Sequence, residues 1–240
     1  MTTSALLNDF ATRSFRDVAD KDYILARLAY RNGLFPQFQW SALQAIEKYF
    51  KAILLYNRIE AKKVGHSLSK AQEKFLLLPF KVKLSKSSLR LIKHLDEFGA
   101  FRYLEVSYFM HGPKLVELDK AVWEIRRYCN VLNYNFTANG RVVEALPLEI
   151  GKIERTSHLK PNEISLTGGV LEAILRKSTH PSRPALIWQN ACYSTRPRKI
   201  VRMPVHFIAE NAPLTLHAEI LDEVLKYCFL PSVVEKAYRK

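Results

Sequence analysis

Apolar residues recur at steps of three and four positions through the first half of the chain, which is the spacing of one helical face. This pattern predicts five helices joined by short links. They cover residues 17–32, 37–57, 67–78, 88–98 and 114–136. Helices connected in this way pack into an antiparallel bundle. The sequence therefore predicts a mostly α-helical fold.

The second predicted helix has a broad apolar face, because two neighbouring helical stripes are apolar. One stripe contains Leu43, Ile46, Phe50, Ile53 and Asn57, and the other contains Ala42, Ala45, Tyr49, Ala52 and Tyr56. A face of this width indicates a helix inside the bundle. Its outer side is polar, and Leu55 is the exception.

The fifth predicted helix has the most regular pattern in the sequence. Its apolar positions alternate steps of three and four, at Leu115, Leu118, Val122, Ile125, Cys129, Leu132 and Phe136. Pro113 precedes it, where a proline favours a helix start. We expect this helix to continue to Phe136.

The chain changes character after Phe136. Residues 137–163 have no sustained period and contain Asn139-Gly140, Pro147 and Pro161, which are turn and loop signals. A stretch of this kind is typical of a domain boundary. We therefore predict three regions: a bundle at 1–137, a linker at 138–163 and a smaller accessory domain at 164–240.

The accessory domain is predicted to be mainly helical. Helices are expected over residues 166–177 and 216–229, the second with Ile220, Val224, Leu225 and Cys228 inward. Residues 185–194 fit either a helix or a short strand. Residues 201–208 alternate like a strand, and Pro204 favours an edge position.

Composition narrows the class of protein. The chain has 240 residues, 48% of them hydrophobic, which is enough for one large domain or two small ones. No apolar run approaches the roughly 18 residues that a membrane span needs, and the first residues do not resemble a secretory signal. Three cysteines, far apart in sequence, fit neither a disulfide framework nor a zinc site. We expect a cytoplasmic protein.

Positive charge is concentrated in one part of the chain. The net charge is +14, and residues 58–93, here called the basic segment, hold ten basic residues against two acidic ones. A second group lies at Arg196, Arg198, Lys199 and Arg202. Such concentrations attract polyanions, above all nucleic acid. The alternative is a solvated surface that keeps the protein soluble.

Two short segments carry a resemblance to a known family. Residues 44–54 (QAIEKYFKAIL) followed by Gly65-His66-Ser67-Leu68 are similar to paired motifs of the HEPN superfamily of helical bundles. Arg102-Tyr103, ahead of the fifth helix, also falls at a matching position, and the likeness spans residues 17–136. The resemblance implies a homodimer. It also implies one of three roles: a metal-independent ribonuclease of toxin or defence systems, a non-catalytic binding module, or a partner of a nucleotidyltransferase.

The sequence departs from the family's nuclease motif. Active members carry an arginine and, after four to six intervening residues, a histidine that moves the proton of the reacting hydroxyl. In this chain no arginine is followed by a histidine at that spacing. Three residues separate Arg90 from His94, Arg176 from His180 and Arg202 from His206, and eight separate Arg102 from His111.

On the fifth helix, Arg126 is instead followed by Asn130 and Asn133, and Trp123 shares their stripe. Asparagine cannot exchange a proton at neutral pH, but it can hydrogen-bond a phosphate or a base, and Trp123 can stack. The alternative for this stripe is a dimer interface.

The candidate residues fall into two sets. Weak catalytic candidates are Arg102, His111, Arg90, His94 and His66. Candidates for binding phosphate or nucleic acid are Arg126, Asn130, Asn133, Trp123, Lys62, Lys63, Lys81, Lys83, Arg196, Arg198 and Lys199. We expect no metal and no cofactor, because the histidines lack partners at ligand spacing and no phosphate-binding glycine loop is present.

Three functions remain open. The preferred one is a dimeric module that binds RNA or a nucleotide through its basic surface and lacks the nuclease pair. The others are a ribonuclease with a rearranged site and a regulatory partner of a nucleotidyltransferase.

Overall fold

The computed structural model describes residues 2–62, 64–99, 104–157, 159, 168–194, 200–202 and 206–239. Its first half is helical, as the sequence predicts. The helices are α1 (Thr3–Phe10), α2 (Asp17–Arg31), α3 (Phe35–Tyr56), α4 (Leu68–Lys74), α5 (Lys86–Phe98) and α6 (Lys114–Arg126). A π-helical segment, Ala11–Arg16, joins α1 to α2, and a short 3-10 turn, Phe75–Leu77, follows α4.

Serine side chains set two of the helix starts. Ser67 Oγ accepts a hydrogen bond from the Lys70 amide at 3.3 Å, and Ser85 Oγ accepts one from the Ser88 amide at 3.4 Å. These N-caps satisfy amides that have no partner inside the helix. Both helices pack against α3.

The core lies where α2, α3, α5 and α6 meet. The apolar stripes predicted for the first two helices are buried, and Tyr23, Tyr49 and Phe50 have no exposed surface. Gly99 ends α5 where it crosses α3, and a Cβ added there would lie 3.0 Å from Leu43 Cβ. The predicted helical bundle is confirmed.

The fifth predicted helix is shorter than its periodicity indicates. It ends at Arg126, and the chain continues in tight turns in which the Tyr128 and Cys129 amides donate to carbonyls three residues back. Cys129 and Leu132 still face the core. Phe136, however, lies in a strand. The prediction of a helix to Phe136 is wrong because turns can bury apolar residues at the same spacing.

The predicted linker contains regular structure. Strands β2 (Asn135–Ala138) and β3 (Arg141–Glu144) form a hairpin, and α7 (Ala145–Arg155) follows directly. Asn139 and Gly140 form the turn with φ of 50° and 73°. Positive φ at both positions is the geometry that an Asn-Gly hairpin turn adopts. Regular structure thus occupies much of the predicted linker, and its boundaries at 138–163 stay a prediction.

A second ribbon joins distant parts of the chain. Strand β1 (Tyr108–Gly112) pairs antiparallel with β4 (His206–Glu210), and Met110 lies opposite Ile208. The predicted strand at 201–208 overlaps β4 at its end, while Pro204 lies outside the described residues. In a two-stranded ribbon both strands are edges, which agrees with the predicted position.

The last part of the chain adds short helices. They are α8 (Val170–Arg176), α9 (Arg183–Ile187), α10 (Pro213–Leu216), α11 (Leu221–Leu225) and α12 (Ser232–Tyr238), with a 3-10 turn at Ala218–Ile220. The predicted helix at 216–229 is interrupted, and Ile220 and Cys228 are exposed rather than inward. Residues 185–194 begin in α9, which favours the helical alternative.

Helices α8 and α9 pack onto α2 and complete the core of the bundle. Leu171, Ile174, Leu186 and Tyr193 belong to the same cluster of buried residues as the bundle helices. The division into a bundle at 1–137 and an accessory domain at 164–240 stays a prediction. None of the helices among the described residues is long and apolar enough to cross a membrane.

Candidate nucleic-acid interface

Arg126 lies in the interior of the protein. Its side chain is 1% exposed, and its guanidinium donates to both carboxylate oxygens of Asp20 at 2.7 and 2.9 Å and to both of Glu172 at 2.5 and 2.7 Å. Burial opposes the charge, but Asp20, Tyr193 and Glu172 outweigh it and raise the pKa of Arg126. This geometry leaves no guanidinium edge for an external phosphate.

A second buried ion pair lies beside the first. Arg27 contacts Asp119 and also donates to the Ala185 carbonyl at 2.9 Å. Tyr23 donates to the same Asp119 carboxylate at 2.6 Å. These polar side chains were missed at the sequence level because they occupy positions on otherwise apolar helix faces. Their role is to join the bundle to α9 and the chain after it.

The other members of the predicted stripe are dispersed. Trp123 is half-buried, with the Arg127 guanidinium carbon 5.2 Å from its ring centroid. Asn130 Oδ1 accepts from the Val131 amide at 2.9 Å, and Asn133 is exposed beyond the helix end. The four residues share no surface, because α6 ends before the asparagines.

Three catalytic candidates do come together, where α5 meets β1 and the start of α6. Arg90 and Lys114 both contact the buried carboxylate of Glu117, at 3.5 and 3.0 Å. His94 lies one helical turn after Arg90, and its electrostatic neighbours are Lys114 and His111. Arg102 lies outside the described residues.

His94 is a neutral side chain at physiological pH. Burial, and then the positive fields of Lys114 and His111, lower the pKa of His94 to about 4. Its Nε2 is buried without a hydrogen-bond partner. His111, in contrast, is exposed on β1. Within this group, His111 is therefore the histidine that an external molecule can reach.

The outward face of the β1–β4 ribbon is aromatic. Phe109 is 44% exposed and Phe207 is 73% exposed, while Met110 on the other face is buried. Phe207 pairs with His111 across the ribbon, and alternate residues of a strand share a face. The Phe109 ring packs 5.4 Å from Phe98 of α5. We call Phe109, His111, Phe207, Arg90 and Lys114 the ribbon face.

Cations of the basic segment continue this surface along α5. Lys86, Arg90 and Lys93 recur at helical spacing and are all exposed. Among the described residues, acidic partners are found for only two cations of the segment: Arg90, which contacts Glu117, and Lys83, which contacts Glu154 at 2.6 Å. The predicted candidates Lys62 and Lys81 are exposed. Those at Lys63, Arg196, Arg198 and Lys199 lie outside the described residues.

His66 occupies a different part of the surface. Its Nδ1 lies 2.8 Å from Oε2 of Glu47, a buried carboxylate on α3, and its side chain is 63% exposed. Glu47 Oε1 also pairs with Lys51 at 2.5 Å. The carboxylate orients the imidazole and leaves its other edge toward solvent. No cluster of three metal-ligating side chains occurs in the part of the chain that the structure describes.

The bundle and its exposed cations define a small helical domain, and comparison with known families identifies it. The family model described as HEPN domain matches residues 12–129, from the π-helical segment to just beyond α6. Residues 12–129 are therefore a HEPN domain, which suggests a nucleotide- or RNA-related role. No family model matches the rest of the chain. Searches of curated proteins and of solved structures each returned no match.

Proposed function

We propose that this HEPN-domain protein binds single-stranded RNA across the ribbon face. The observation that carries the proposal is the pair of exposed phenylalanines on one side of the ribbon, next to the cations of α5 and α6. Apolar rings of this size are usually buried, and an exposed aromatic surface marks an interaction site. Cations beside it favour an anionic partner.

The chemistry of single-stranded nucleic acid matches this surface. Bases stack on aromatic rings whatever their sequence, and phosphates follow a positively charged surface. Phe109 and Phe207 offer the rings, and Arg90, Lys93 and Lys114 offer the charges. Glu117 holds Arg90 and Lys114 in place while cancelling one of their two charges. We infer recognition that tolerates many sequences and weakens as salt rises.

Salt-dependent binding of a fluorescein-labelled oligouridylate, followed by anisotropy, tests the proposal. Each phosphate contact that is lost reduces the slope of log affinity against log salt by about 0.7 for single strands. Lys93→Ala should therefore flatten the slope by about this amount. Phe109→Ala should weaken binding by about 1–3 kcal/mol at every salt concentration, as expected for a lost stacking platform.

The matched control is Phe136→Ala. It removes an exposed phenylalanine from the β2–β3 hairpin, and it should leave the affinity for the oligouridylate unchanged. A flat salt response in the wild type, or equal losses for Phe136→Ala and Phe109→Ala, would contradict the proposal. Co-purification of a specific protein without RNA would instead favour a regulatory partner, such as a nucleotidyltransferase.

A ribonuclease with a rearranged site is the second candidate, because Arg90, His94 and His111 lie in one group. Here His111 would transfer the proton of the reacting hydroxyl and Arg90 would bind the scissile phosphate. His94 is unsuited to proton exchange near neutral pH because its pKa is lowered to about 4. Cleavage of RNA in the presence of a chelator, abolished by His111→Ala and retained by His94→Gln, would establish this activity.

A further inference from the structure

A separate cavity of about 630 Å³ lies between the π-helical segment and the end of α3. Its apolar lining includes Phe10, Phe15, Leu55 and Ile59. The rings of Phe10 and Phe15 meet edge to face with centroids 5.8 Å apart. Leu55 is an apolar residue on the mainly polar side of α3, and its side chain lines this cavity. The volume is in the range of small-molecule sites.

Positive charge surrounds this apolar surface. Lys51, Arg58 and Lys62 line the cavity together with one acidic residue, Glu60, and Lys51 is already paired with Glu47 at 2.5 Å. Arg58 donates to three neutral groups, namely the Leu55 carbonyl, Ser4 and the Asn8 side chain, and no carboxylate in the described part of the chain forms an ion pair with it. Lys62 is exposed and has no ion pair among the described residues. The rim therefore favours an anion.

The lining discriminates between kinds of anion. Among the described residues it consists of four charged side chains and otherwise apolar ones, so a polar group placed against the apolar part would lose hydrogen bonds to water without replacing them. A hydrocarbon chain has no such cost and gains free energy from leaving water. We propose that this cavity binds an amphiphilic carboxylate, with its aliphatic chain against Phe10, Phe15 and Leu55 and its head group at Lys62. This site goes beyond RNA binding and does not depend on it.

Calorimetric titration of the full chain with decanoate, below its micelle concentration, tests the site. Decanoate should bind saturably at one site per chain. Decyltrimethylammonium has the same chain with a cationic head, and it should give no saturable heat. Lys62→Glu should weaken decanoate binding about 1.4-fold to fivefold, the range expected for an exposed charge pair. Leu55→Ser should also weaken decanoate binding, because it removes the apolar contact with the aliphatic chain.

Lys81→Glu is the matched control, since it reverses an exposed charge in the same segment away from the cavity, and it should not change decanoate binding. Thermal melts establish that each variant is folded. Equal binding of decanoate and decyltrimethylammonium, or equal effects of the two charge reversals, would overturn the proposal. Self-association that Leu55→Ser abolishes, without decanoate binding, would also overturn it, because a second copy would then cover the cavity.

Discussion

Replacing Arg126 by methionine should destabilise the protein strongly without acting on a binding surface. The substitution keeps an unbranched side chain but removes the guanidinium that pairs with Asp20 and Glu172. Removing one partner of a buried ion pair costs about 3–5 kcal/mol, since the other charge stays buried. Asp20 keeps hydrogen bonds from Tyr49 and the Leu171 amide, so we expect the lower half of that range.

Urea unfolding followed by circular dichroism measures this loss, which is large against a typical total of about 5–15 kcal/mol. Adding Asp20→Asn to the Arg126→Met variant should recover part of the stability, because one uncompensated carboxylate disappears. Arg13→Met is the control, because the Arg13 side chain, which pairs with Asp9, is 75% exposed. This substitution should change the free energy of unfolding by less than about 0.5 kcal/mol. A loss below about 1 kcal/mol for Arg126→Met would refute the reasoning.

Three further predictions concern pH, packing and assembly. The pKa of His94 is lowered to about 4, so its contribution to the free energy of unfolding is complete above pH 6.5 and is lost as pH falls toward 4. In urea titrations, His94→Gln should therefore lose less stability than the wild type between pH 7 and 5. Equal losses for the two proteins would exclude His94 as the cause. Gly99→Ala should lower the free energy of unfolding, measured by heat or urea, by about 1–3 kcal/mol, because the added Cβ meets Leu43. The control Gly151→Ala, within α7, should leave stability unchanged or raise it. The implied homodimer predicts a sedimentation mass twice the 27.7 kDa of the chain, and a single-chain mass would exclude it.

The helical spacing of apolar residues was sufficient to predict the bundle, because the face of a helix that is buried is the face that is apolar. The same signal misplaced the end of α6, since Cys129 and Leu132 are buried from turns. The Asn139-Gly140 pair, a strong hairpin signal between β2 and β3, could have identified the hairpin in the predicted linker. The pairing of β1 with β4 could not be predicted in this way, because it joins residues about a hundred positions apart and depends on the whole fold.

The sequence indicated which residue types the candidate site contains, but it did not indicate which of those residues lie together in the structure. The basic segment and the Arg90, His94 and His111 candidates are visible in the sequence, and the structure places those three together. Arg126 looked equally suited to phosphate, yet Asp20 and Glu172 surround it. A single sequence cannot distinguish an exposed arginine from a buried one when its carboxylate partners come from distant helices. Phe109 and Phe207 were not singled out as a pair, because strand register decides that they share a face.

The contact between Arg126 and Glu172 has a consequence for synthesis on the ribosome. The two residues are 46 positions apart, so at about 5–20 residues per second the arginine is translated about 2–9 s before its second carboxylate. During that interval the emerging bundle has polar groups that only α8 and α9 can satisfy. We therefore expect the HEPN domain to complete its folding only after Glu172 and Ala185 have been synthesised.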